Sequence, residues 1–118
     1  MNAPIRPTPH FIDTEALCDE AENAGLAWAD AKAAAEALEE TKKSVLSQIM
    51  VACFAEGMAV SKAETMAQAD PAYLDFIRKM VAAGKARDRA RVRFDILKTR
   101  IELLRTNAST ERAAMSMR

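Results

Sequence analysis

The chain has 118 residues, half of them apolar (50%), with 17 basic and 17 acidic side chains and a formal net charge of zero. That is one domain's worth of material, and three glycines, four prolines and 5% aromatics suit helices and poorly suit sheets, so an all-α fold is expected. No run of about 18 apolar residues is present and no charged-then-apolar leader opens the chain, so a cytoplasmic protein without a membrane partner is expected.

Residues 1–12 carry Pro4, Pro7, Pro9 and the only histidine, His10, among too few apolar residues to pack; they read as a disordered arm. A lone histidine without Cys or carboxylate at ligand spacing is a tail residue, not a metal ligand or base.

The first helix opens at Asp13, whose carboxylate can cap the next turn while Ile12 staples against Leu17. From there Leu17, Ala21, Ala24, Trp28, Ala31, Ala35, Leu38, Lys42, Val45, Ile49 and Ala52 recur at alternating four and three, a heptad seam built mainly of alanine. Small seam residues let helix axes approach and make Trp28 and Leu38 the anchors. Gly25 costs about 1 kcal/mol in propensity, so it marks either a close backbone contact or a weak point. After Lys43 the apolar residues Val45, Leu46, Ile49, Met50, Cys53 and Phe54 cover most of the circumference, and that end is expected to be buried. Cys18 and Cys53 fall on this same helix, roughly 50 Å apart at 1.5 Å per residue, so they cannot bridge and read as inert thiols of a reduced compartment.

Gly57 is the expected stop of helix 1. Ser61-Lys62-Ala63-Glu64 forms a capping box behind Val60, predicting a short helix to about Ala69. Asp70-Pro71 then supplies an N-cap and an N1 proline for the third helix, expected to run to about Thr106 with Asn107 as its stop. Residues 108–118 read as a frayed tail, leaving 13–107 as the folded domain.

Along the third helix Tyr73, Phe76, Met80, Ala83, Arg87, Ala90, Phe94, Leu97, Ile101 and Leu104 form a seam interrupted only by Arg87. The reading is a long antiparallel helical hairpin, coiled-coil-like, with a short intervening helix that closes an apolar end formed by Met50, Phe54, Tyr73 and Phe76. Antiparallel geometry with the reversal between Gly57 and Pro71 places Trp28 near Leu97 and Ile101, and Arg87 near Glu39 and Glu40.

On the face opposite the seam lie Leu74, Val81, Val92, Ile96 and Leu103. A lone hairpin would leave them in water, so completion by a second copy, a dimer first, is expected. Beside them Arg78, Lys85, Arg89, Arg93 and Arg100 project within one outer sector, a stripe that can follow a phosphate backbone. Charge is divided along the chain: through Met58 there are four basic and ten acidic residues, and from Ala59 onward thirteen and seven, −6 against +6. That division suits either a nucleic-acid partner or attraction between the two antiparallel helices. Catalysis has no foothold: there is no HExxH, no glycine-rich phosphate loop and no nucleophile with a histidine, so no enzyme, cofactor or metal is expected.

The order of features, an acidic first helix, the Ser61–Glu64 turn, the restart at Asp70-Pro71-Ala72-Tyr73 and then Arg93-Phe94 followed by Leu97 through Ala108, resembles small helical proteins of tailed phages and prophages. It departs from them after the Asn107-Ala108 pair, where their tails are more basic and Ser109, Thr110 and Glu111 stand here. The resemblance implies a non-catalytic accessory protein, encoded near recombination or single-strand DNA-binding genes, that binds DNA or a DNA-processing protein through the third helix. The alternative is a helical adaptor or inhibitor that binds a host protein through the second apolar face without touching DNA.

Overall fold

The computed structural model describes residues 13–117, so the arm, His10 and the Ile12 staple lie outside the described residues. Within them the chain forms α1 (Thr14–Ala55), α2 (Val60–Gln68) and α3 (Pro71–Ser116), with no strand. The helices α1 and α3 pack against each other as a hairpin, and α2 folds back mainly on the end of α1.

Each end is set by local chemistry. Asp13 Oδ1 accepts from the Ala16 amide at 3.0 Å, and Asp70 Oδ1 accepts from the Ala72 amide at 2.8 Å, so both long helices carry the side-chain caps their sequences predict. α1 stops in a Schellman turn: the Met58 amide donates to the Cys53 carbonyl at 3.3 Å and the Gly57 amide to the Phe54 carbonyl at 2.9 Å. Gly57 sits at φ 84°, a conformation that costs residues with a Cβ about 1 kcal/mol or more.

The core is thin because the molecule is a single layer of helices. Its extents are 86 × 42 × 18 Å, so each long helix has a neighbour on one side and water on the other. The buried residues are Ala21, Ala24, Ala35, Ala63, Ala67, Tyr73 and Leu97, five of them alanine. Leu97 seats between Ala21 and Ala24, with Leu17, Phe94 and Ile101 packed around it: a large knob from α3 in a hole that alanines leave on α1.

All ten seam positions of α3, from Tyr73 to Leu104, are buried or half-buried. On α1 the seam holds at every position from Leu17 to Leu38 and again at Val45 and Ile49, but Lys42 and Ala52 are exposed. A straight α-helix drifts about 20° per heptad against a strict seven-residue repeat. Over the five heptads from Leu17 that drift amounts to about one residue, and Cys53 occupies the inward position in place of Ala52.

Several expectations are corrected. The capping box does not form: α2 begins at Val60 with Ala59 as an N-cap that makes no side-chain bond. The helix instead gains a backbone bond from the Ala63 amide to the Ala59 carbonyl at 2.9 Å, and Ser61 lies inside the first turn. What orients α2 is the fully buried pair Ala63 and Ala67, one turn apart on its inner face.

Nor does Asn107 end α3, which runs on to Ser116. Asparagine stops a helix only where the chain turns left-handed, and the residues that follow are mostly helix formers without glycine or proline. The Thr110 and Ser116 hydroxyls donate back to the Thr106 and Arg112 carbonyls. Residues 108–116 are therefore a helical, fully exposed extension.

The connection end is only partly closed. Tyr73 is buried and Met50 and Phe76 half-buried, but Phe54 and Val51 are exposed, since the alanine face of α2 covers one side only. Cys18 is likewise exposed and Cys53 half-buried.

Register also differs from the sequence estimate. Trp28 stacks on Phe94, with ring centroids 5.9 Å apart and planes at 26°, about one turn nearer the connection than Leu97 and about two turns nearer than Ile101. Because α2 lies back along α1, the last turns of α1 project past the start of α3, and at the far end α3 overshoots α1. The pairing of Arg87 with Glu39 is found, at 3.9 Å.

Candidate functional site: the outer face of helix α3

At 100° per residue the seam of α3 and the line Leu74, Val81, Val92, Ile96 and Leu103 lie on opposite sides of the helix. The hairpin covers the seam and leaves the line bare: its five side chains are between 42% and 57% exposed. The line is straight, advancing by seven, four, seven, four and seven residues once Lys85 is counted in it, and it extends about 44 Å from Leu74 to Leu103. By contrast Leu26 of α1, exposed on that helix's outer side, stands alone among alanines and charges.

Arg78, Arg89 and Arg100 border the line on one side and Lys85 stands within it, all exposed and, among the described residues, none in an ion pair. Arg93 is different: its Nη2 donates to Glu20 Oε1 of α1 at 2.9 Å. The sequence pattern set Arg93 with the other four, and nothing local betrays a partner 73 positions away. The contact follows from the observed register.

The opposite border is acidic, a feature that counting basic residues alone passes over. Asp88 accepts from Arg87 Nε at 3.1 Å, and Asp95 lies 3.8 Å from both Arg91 and Lys98. A shallow depression lined by Glu20, Arg89, Val92, Arg93, Ile96, Leu97 and Arg100 joins the apolar line to the basic border, so the two predicted sets form one surface with one α1 carboxylate in it.

Trp28 and Phe94 are spent on folding. Phe94 and Trp28 stack within the hairpin, and Lys98 and Lys32 place their ammonium groups 5.0 Å and 5.7 Å from the centroids of these rings. Among the described residues no aromatic side chain lines the depression beside Arg89, Arg93 and Arg100. Among the described residues no group of three or more His, Cys, Asp or Glu could hold a metal ion, and no helix is long and apolar enough to cross a membrane.

No protein-family model matches the chain, and no curated protein and no solved structure matches it.

Proposed function

We propose that this chain is a non-catalytic accessory protein of DNA recombination or replication that binds DNA through the outer face of α3. The observation that carries the reading is the basic border: Arg78, Lys85, Arg89 and Arg100 share one sector over about 33 Å of helix. All four are exposed and unpaired among the described residues. Eight acidic residues lie on α1; one of them, Glu20, holds Arg93 at the edge of this border and leaves the other four cations unpaired among the described residues.

Four flexible cations on a rigid rod recognise phosphate spacing and charge. With no aromatic side chain beside them among the described residues, binding is indifferent to base sequence and steeply salt-dependent. Replacing Arg78, Lys85, Arg89 and Arg100 together by glutamine leaves helix content unchanged, because all four lie off the seam. It also removes DNA binding measured by fluorescence anisotropy. Binding that survives the fourfold replacement refutes the assignment.

A second reading rests on the apolar line itself. Five large exposed apolar side chains in a row are a docking ridge for a helix of a DNA-processing or host protein. This adaptor reading predicts capture of one protein partner with no response to DNA.

A further inference from the structure

We propose that Glu20 is a built-in competitor for DNA: its carboxylate takes the place of a phosphate on Arg93, and the nucleic acid is denied that arginine as a fifth contact. The inference rests on the DNA-binding reading and deepens it, because it assigns to the same surface an element that limits its affinity.

The geometry starts from the phase of α3. At 100° per residue Arg93 lies about 40° nearer the seam than Arg89 and about 20° nearer than Arg100, so it is the arginine of the three that a side chain of α1 reaches most readily. Its Nη2 donates to Glu20 Oε1 at 2.9 Å. Arg89 and Arg100 line the same depression as this pair, one turn before Arg93 and two turns after it, which makes Glu20 the one carboxylate lining a surface that presents three guanidinium groups. With Arg93 held toward α1, the basic border runs about 16 Å from Arg89 to Arg100 without a free cation.

The contact is well formed but solvated. Arg93 is 64% and Glu20 46% exposed, so water screens the pair and breaking it leaves no charge buried without a partner. Glu20 therefore lowers affinity in two ways: it occupies the guanidinium, and once displaced it stands as a like charge beside the phosphates. Such a pair tunes binding rather than blocking it.

The test titrates labelled double-stranded DNA with wild type, Glu20→Gln, Glu22→Gln and the Glu20→Gln, Arg93→Gln double variant, following fluorescence anisotropy at several salt concentrations. Glu20→Gln should bind about two to five times more tightly at low salt, the range an exposed ion pair allows. It should also steepen the fall of log K against log salt by about 0.9, the value of one added phosphate contact. The double variant should return to the wild-type slope, within about twofold of wild-type affinity. Glu22→Gln removes the same charge from an exposed position on the outer side of α1 and should leave the slope unchanged. A gain that survives Arg93→Gln, or that Glu22→Gln reproduces, would be an effect of net charge and would overturn the proposal. Wild-type binding that Glu20→Gln leaves unaltered would also overturn it, with the DNA-binding reading intact. No binding by any of the four chains at low salt would overturn both. Circular dichroism verifies that each variant is folded.

Discussion

The ring of Phe94 lies directly on the backbone of Gly25: a methyl group built there would stand 3.1 Å from Cε1 and 3.3 Å from Cζ. Gly25 is therefore the close contact at which α3 reaches the α1 backbone, and the ring it admits also stacks on Trp28. Gly25→Ala should gain about 1 kcal/mol of helix propensity and lose at least as much by displacing the ring, leaving the variant no more stable than wild type. In a Phe94→Ala background the same change should stabilise by about 1 kcal/mol. Chemical denaturation of the four chains of this cycle measures the coupling; additive changes would mean that Gly25 is only a weak point in the helix.

Leu97 and Leu26 should respond oppositely to truncation. Leu97 is 3% exposed in its alanine hole, and Leu26 is 59% exposed. Leu97→Ala should cost about 2–4 kcal/mol of unfolding free energy, whereas Leu26→Ala should stay within about 0.5 kcal/mol of wild type. Equal losses at both sites would contradict the observed phase of the seam.

How much of this was legible in the residues themselves follows from which signals are local. The α3 seam was readable because large apolar residues at three-and-four spacing have one physical explanation, and the caps at Asp13, Asp70 and Gly57 were readable because each is chemistry within a few residues. Register was not readable: it depends on α2 lying back along α1, fixed by Ala63 and Ala67, whose small side chains carry little pattern. The helix beyond Asn107 was missed because a permissive residue was read as a breaker. Of the candidate face, all ten residues were named from the sequence; the bond from Arg93 to Glu20 required the three-dimensional pairing, whereas the acidic border at Asp88 and Asp95 is local to α3 and was legible at helical spacing.

Arg87 breaks the seam, yet it is not a buried charge. Its side chain is 31% exposed and Glu39, at 3.9 Å, is 59% exposed, so loss of the arginine leaves a solvated carboxylate. Arg87→Leu should extend the apolar seam between Ala83 and Ala90 and raise stability by up to about 1 kcal/mol, while Arg87→Gln should change it by less than about 1 kcal/mol. A loss of several kcal/mol on Arg87→Gln in urea unfolding would show that the ion pair organises the hairpin.

The exposed end of α3 should be separable from the fold. Removing residues 108–118 should lower the helical circular dichroism signal by roughly a tenth, in proportion to the helix removed, without moving the unfolding midpoint, since isolated helix ends add little tertiary stability. A lower midpoint for the truncated chain would reveal contacts made by that extension.

The most direct measurement is fluorescence anisotropy of labelled single- and double-stranded DNA titrated with the wild-type chain from low to moderate salt. Three to four phosphate contacts predict that log K falls against log salt with a slope of about −2 to −4, independent of base sequence. The Arg78, Lys85, Arg89 and Arg100 glutamine variant should not bind over the same range. No binding by the wild-type chain even at low salt would contradict the DNA-binding account and leave the outer face of α3 as a surface for protein alone.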